Sequence, residues 1–344
     1  MRIGNAKITG LAFVAAGLAT AIAVRAKRIQ RAYAFGGKSV VVTGGSRGLG
    51  LVLARQLAAE GARLTLIARD EDELRRAADD LHNRQPSAEV LLVAADVGRR
   101  EDVERAISRV ISHYGSIDVL INNAGIIQVG PLDHMKLSDY DDAMKTHFWG
   151  PLFLVLAALP HMRHQGGGRV VNISSVGGRI SVPHLVPYSA SKFALAGLSD
   201  RLRAELARDQ IVVTTVCPGL MRIGSPINAA FKGQRPQEYS WFAIASSLPV
   251  MTISAERAAR QILDACRRGD AELVITVQAK LAILARTIAP ELFSEAMSLV
   301  HRLLPKAVGP EGDVAESGRS AGSDWASSTV LAPMYAAAQR NNEL

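Results

Sequence analysis

Cysteine is nearly absent: Cys217 and Cys266 are the only two in 344 residues, too few for a disulfide framework and without metal-ligand spacing. A reducing compartment is the natural setting, and no metal site is expected. Aromatic residues make up only 5% of the chain, and the basic residues behind the net charge of +8 are scattered rather than gathered into a patch. The interleaved aromatic and basic surface of a nucleic-acid binder is therefore missing, and no nucleic-acid partner is expected. There is no internal repeat, and no GxGxxG string. The one local basic cluster, Arg25, Lys27, Arg28 and Arg31, follows an apolar stretch.

That stretch, residues 8–24, carries no charge. As a helix it would cover about 25 Å, just short of a hydrocarbon core of about 30 Å. Arg2 and Lys7 precede it, and the larger basic excess behind it favours keeping the rest of the chain in the cytoplasm. Residues 1–35 are thus expected to be a membrane anchor with its basic flank. A cleaved signal peptide, with Ala19 to Ala21 or Ala21 to Ala23 at the cleavage site, and a buried or interfacial helix are the competing readings. The basic cluster argues against export.

From Lys38 onward, short β-branched runs alternate with helical patterns. Strands are expected at 38–43, 64–68, 90–94, 117–121, 169–174, 211–216 and 273–277. Helices are expected at 51–59, 71–81, 101–113, 137–164 (interrupted at Gly150-Pro151), 188–208 and 255–268. Unbroken apolar strands between helices imply parallel pairing covered on both faces. The fold class is therefore α/β, a doubly wound parallel sheet of Rossmann-like type, in one domain over residues 36–278. Residues 279–307 follow as an apolar helical extension, packed on the domain or a partner, or else serving as a second membrane contact or a lid. Residues 308–344 are small, polar and Gly-rich, and are expected to be disordered.

Between the first strand and its helix stands Thr43-Gly44-Gly45-Ser46-Arg47-Gly48-Leu49-Gly50. In a doubly wound sheet this turn binds a pyrophosphate, because glycines admit close backbone approach and the helix start offers N–H groups. Arg69 follows the second strand where an acidic residue would accept from a ribose 2′-hydroxyl; Asp70 comes only after it. Arg47 and Arg69 instead suit a 2′-phosphate, so NADP(H) is expected in preference to NAD(H). Further on, Tyr188 and Lys192 stand four apart on a predicted helix and share a face. A phenol beside an ammonium, with a hydroxyl arriving from the strand that ends in Ser174 and Ser175, forms a candidate proton-transfer site.

These strings together resemble the short-chain dehydrogenase/reductase family over residues 38–278. TGGSRGLG is similar to its TGxxxGxG cofactor loop, Asp96-Val97 to its adenine-contacting position, and Asn122-Asn123-Ala124-Gly125 to its NNAG motif. Ser175, thirteen residues before Tyr188, and Tyr188-Ser189-Ala190-Ser191-Lys192 resemble its catalytic Ser and YxxxK, and Pro218-Gly219 its PG after strand six. The resemblance implies a nicotinamide cofactor on the loop residues, on Asp96, Val97, Asn123, Ala124, Gly125, Pro218 and Gly219, and on Tyr188 and Lys192. It implies catalysis by Ser175, Tyr188 and Lys192, and a homo-oligomer.

Two departures stand out. His147 occupies the position where the family commonly has an Asn in a proton relay, and Ile223 stands where PGxxxT has its Thr. A histidine could shuttle protons itself. An altered relay would leave the alternative of a nucleotide-binding regulatory or scaffold protein. Residues 221–253 carry Ile223, Ile227, Phe231, Tyr239, Trp241, Phe242, Ile244, Leu248, Val250 and Met251. They read either as an apolar lid for a lipophilic ketone or alcohol, or as core beneath a loop.

Overall fold

The computed structural model describes residues 33–248, 251–322 and 329–344. The expected anchor at 8–24 lies outside the described residues. Among the described residues, no helix is long and apolar enough to cross a membrane.

Seven parallel strands form the central sheet: β1 (Ser39–Thr43), β2 (Arg63–Ala68), β3 (Val90–Ala94), β4 (Val119–Asn122), β5 (Gly168–Ile173), β6 (Ile211–Pro218) and β7 (Glu272–Ile275). In space they run β7-β6-β5-β4-β1-β2-β3. All residues of β1 are buried because a strand covered on both faces turns alternate side chains into two cores. Val40 and Val42 face one core with α1 (Gly48–Ala59), α2 (Glu71–Arg84) and α8 (Ala255–Arg268). Val41 faces the other, with α3 (Arg100–Tyr114) and α5 (Gly150–His164). Strand order reverses between β1 and β4, whose C-terminal ends therefore open into the crevice where such sheets bind ligands.

The expected helix over 137–164 forms without a break at Gly150-Pro151. Pro151 stands at the start of α5, inside the continuous helical run. The irregularity lies just before it: α4 (Leu137–Met144) passes into a π-helical turn at Lys145–Trp149, which carries His147. Helix α6 (Val186–Glu205) likewise starts with Pro187 in its first turn.

The expectation of a disordered tail is overturned. Glu316–Ser317 pairs antiparallel with Ala230–Phe231, and Ala332–Arg340 forms α11. Its Met334 and Ala338, with the preceding Leu331, are buried in one cluster with Phe231, Tyr239 and Phe242, and Ala337 is buried too. The small, polar composition concealed an apolar stripe at helical spacing, which suffices when a waiting surface completes the core. The same packing decides the apolar-lid reading of 221–253 against a lid at Ile227, Phe231, Tyr239 and Phe242, which are buried core; Val250 lies outside the described residues. Helices α9 (Val277–Ile288) and α10 (Pro290–Leu303) pack on each other and leave Leu281, Ile288, Leu292 and Leu303 exposed.

If α11 belongs to the core, Met334→Ala must create a cavity. It should lower stability by about 2–5 kcal/mol in urea unfolding, whereas a chain with a loose tail would unfold at an unchanged midpoint.

Candidate active site

The glycine turn is built by close backbone packing. Gly44 has φ +61°, and a Cβ there would lie 2.9 Å from the Ala124 Cα; a Cβ on Gly50 would lie 2.0 Å from the Gly44 carbonyl oxygen. The turn is stitched to the end of β4. Thr43 Oγ1 accepts from the backbone N–H groups of Asn123 (2.9 Å) and Ala124 (3.1 Å). The Asn123 amide donates back to the carbonyls of Thr43 (3.0 Å) and Gly44 (3.2 Å). Thr43 and Asn123 thus spend their side chains holding the loop, leaving the backbone N–H groups at the start of α1 as the anion-binding element.

The Asp70 carboxylate caps α2 by accepting from Glu73 N–H at 2.8 Å, and Arg69 is exposed beside it. Ser46 and Arg47 both bond the Glu73 carboxylate, at 2.9 and 2.7 Å. Asp96 accepts from Gly98 N–H at 2.9 Å, and Val97 is buried behind it. Pro218 ends β6, and the Gly219 N–H donates to the Ile275 carbonyl at 3.1 Å. Ile223, in the place of the family's Thr, is buried and brings no polar contact from its side chain.

At the centre, β5 and α6 are locked together. Lys192 Nζ donates to the Ile173 carbonyl at 2.9 Å, and Ser174 Oγ donates to the Lys192 carbonyl at 2.9 Å. Ser174 is thereby structural. Its neighbour Ser175 accepts from Gly177 N–H at 3.0 Å and hydrogen-bonds the Tyr188 phenol. Lys192 Nζ lies 5.8 Å from the centre of the Tyr188 ring. Burial drives the amine down from its usual value to about 7, because the charged form has lost water. Burial also raises the Tyr188 phenol, an effect opposed by the Ser175 hydrogen bond.

His147 reaches this cluster through the π-helical turn. Its Nε2 accepts from Ile126 N–H at 3.1 Å, which leaves Nδ1 to carry the proton and donate to Ser191 Oγ at 2.7 Å. Ser191 in turn donates to the Tyr188 carbonyl at 2.8 Å. Burial, then the nearby Lys192, hold the imidazole well below its ordinary pKa. Its ring stands edge-on to Tyr188 with centres 5.5 Å apart. A Cβ on Gly125 would meet His147 Nε2 at 3.1 Å, so that glycine makes room for the imidazole.

Two groups were not anticipated. Ser191 has no role in the Tyr-Lys string as read from the sequence, although a serine at helical spacing from Tyr188 is the available signal. Glu343, at the far end of the chain, packs its carboxylate against the open face of Gly48, where a Cβ would lie 3.0 Å from Oε1. No local pattern marks that long-range contact.

Ser175, Tyr188 and Lys192 thus converge beside the β1–β4 crevice, with the glycine turn across from them. The profile of the short chain dehydrogenases matches residues 38–234. The chain belongs to the short-chain dehydrogenase/reductase family. It is 34% identical over 275 residues to dehydrogenase/reductase SDR family member 7B of Xenopus laevis, covering 78% of this chain and 84% of that one. It is 38% identical over 190 residues to 11-beta-hydroxysteroid dehydrogenase-like 4A of Arabidopsis thaliana, covering 55% and 62%. The structure of L-sorbose reductase from Gluconobacter frateurii, complexed with NADPH and L-sorbose, superposes with a TM-score of 0.63 at 26% identity, covering 71% of this chain and 97% of that one. Family members are oxidoreductases of alcohol and carbonyl groups, and the fold binds a nicotinamide cofactor. The residues here fit one: the turn has no room for a Cβ at Gly44 or Gly50, and among the described residues no carboxylate bonds Lys192.

The buried amine has a testable cost. With its folded pKa near 7 and an unfolded value near 10.5, Lys192 binds fewer protons in the folded chain between those limits. Its penalty is therefore complete below pH 7 and relieved as pH rises toward 10.5. The change in Tm on Lys192→Met should be more favourable at pH 6 than at pH 10. A pH-independent difference in Tm would refute the shift.

Proposed function

We propose that this protein is an NADP(H)-dependent oxidoreductase that interconverts a carbonyl and a secondary alcohol on a lipophilic substrate. The observation that carries the reading is the convergence of Ser175, Tyr188 and Lys192 at the crevice, together with Arg69 and a capped Asp70 at the end of β2. The bound nicotinamide supplies or accepts the hydride. The chain's own residues handle the substrate oxygen and its proton. Ser175 Oγ holds the oxygen, and the Tyr188 phenol delivers a proton to it during reduction and takes it back during oxidation. Lys192, when protonated, favours the phenolate that remains. His147 is a positioning residue: with both ring nitrogens bonded, it fixes the Ser191–Tyr188 turn of α6 rather than carrying protons.

The phosphate preference is supported by Arg69, by the engagement of Asp70 in capping, and by the NADPH in the L-sorbose reductase complex. Arg47 points the same way once its bond to Glu73 is exchanged for a 2′-phosphate. The lipophilic class is supported by the partly buried apolar residues that pack against the same buried cluster as Tyr188, among them Ile127, Val182, Trp241 and Ile244. The resemblance to an 11-beta-hydroxysteroid dehydrogenase-like protein is consistent with that surface.

Purified protein should oxidise NADPH with a panel of lipophilic ketones, and Tyr188→Phe should lower turnover by about 10²–10⁴ while NADPH affinity changes little. NADPH binding without turnover of any ketone or alcohol would return the chain to a nucleotide-binding scaffold. Arg69→Ala should raise KM for NADPH by about tenfold, the loss of one charge-assisted hydrogen bond, and leave KM for NADH unchanged. An equal effect on both cofactors would remove Arg69 from phosphate recognition.

A further inference from the structure

The last residues of the chain lie on the cofactor turn. The Gly48 N–H, in the first turn of α1, donates to the Asn341 carbonyl at 2.9 Å. The Asn342 amide donates to the carbonyls of Ser46 (2.9 Å) and Glu73 (3.1 Å), and its oxygen accepts from Arg76 at 3.0 Å. The Glu343 carboxylate is buried between Gly48 and Gly224, and its Oε2 accepts from the Gly224 N–H at 2.7 Å. It therefore bridges the start of α1 to the loop that follows β6, across the mouth of the crevice. A Cβ on Gly224 would lie 2.8 Å from the Glu343 Cβ, so this glycine admits the segment.

The Asn341 carbonyl takes the Gly48 N–H that a pyrophosphate would take, and the Glu343 carboxylate lies against Gly48 at the N-terminal end of α1, where the helix dipole favours an anion. We propose that Asn341–Glu343 is an autoinhibitory strap, whose Glu343 carboxylate occupies the anion site of the dinucleotide cleft and must be displaced for cofactor to bind. The inference rests on the dinucleotide reading of that cleft. The strap is tethered by α11, whose Met334 is buried in the core, so it competes as an intramolecular ligand at high local concentration. It is also readily given up. Burial raises the Glu343 carboxyl to about 7, opposed by the Gly224 hydrogen bond and Arg47, so release into water relieves a desolvated acid. Arg47 pairs with Glu73 while the strap is seated, since that carboxylate is the acceptor nearest its guanidinium.

The apparent affinity of a site that must first shed a competitor is reduced by the fraction of molecules in which it is open. Full-length Glu343→Ala and Asn342→Ala, which loosen the strap from its two sides, should each bind NADPH at least about fivefold more tightly than the unmodified chain. The measurement is fluorescence titration with NADPH, and thermal unfolding confirms that both variants are folded. Amide hydrogen exchange at residues 341–343 of the unmodified chain should be faster when NADPH is present. Variants that bind no more tightly than the unmodified chain refute the strap and leave the cofactor reading intact. Slower exchange at residues 341–343 with NADPH also refutes it, since the segment would then be closing over the cofactor. If none of the three proteins binds NADPH or NADH, the dinucleotide reading itself fails and the strap with it.

Discussion

The hydrogen bond from Lys192 to the Ile173 carbonyl fixes the centre of this molecule. It ties the end of β5 to the first turns of α6, and Ser174 returns a second bond to the Lys192 backbone. With strand and helix locked at that level, Ser175 is left at the strand end and Tyr188 one helical turn before the lysine. Their hydroxyls then meet without any loop having to close. The amine that makes the lock is buried with no carboxylate beside it, which is why its pKa falls to about 7. A lysine chosen for stability alone would be paired or exposed. Keeping it unpaired leaves its charge to respond to what binds in the crevice.

The other half of the crevice obeys a different constraint. Thr43 and Asn123 knit the ends of β1 and β4, so the glycine turn is held without a ligand. What remains unsatisfied is the first turn of α1, whose N–H groups have no partner within their own helix. Buried donors do not stay unpaired. In this chain, the Asn341 carbonyl takes the Gly48 N–H from far along the sequence, and the Glu343 carboxylate lies beside it, held by the Gly224 N–H. Any anion entering the turn has therefore to replace a protein contact rather than water, and the rigidity of the stitched loop makes the exchange one for one.

Much of this was legible in the sequence because the informative features are local. Strand periodicity located the seven parallel strands, and the glycine turn, Asn122–Gly125 and the Tyr-Lys spacing each sit at the end of a strand within a few residues. What escaped was non-local. Residues 308–344 look too polar to fold, since composition weighs a whole window while burial needs only Leu331, Met334 and Ala338 against Phe231 and Tyr239. The same contact turned Phe231, Tyr239 and Phe242 from a supposed lid into core. Glu343 could not be foreseen because its meaning comes from Gly48 and Gly224, far away in the chain. The π-helical turn left no signature that a search for breakers would catch; Gly150-Pro151 marked its neighbourhood but not its position.

That turn also explains how a histidine can stand where an asparagine is common in the family. The extra residue in the helical turn rotates His147 inward, and Gly125 leaves space for a ring. Once inside, the imidazole has no choice of tautomer: Ile126 N–H needs an acceptor, so Nε2 is bare and Nδ1–H must face Ser191. Protonating Nε2 would break that bond and place a second cation beside Lys192 in a site that has excluded water. Both effects keep the ring neutral. In the function we propose, this neutral histidine stays out of the proton traffic that its chemistry would suggest, and the changes of charge near Tyr188 fall to the lysine.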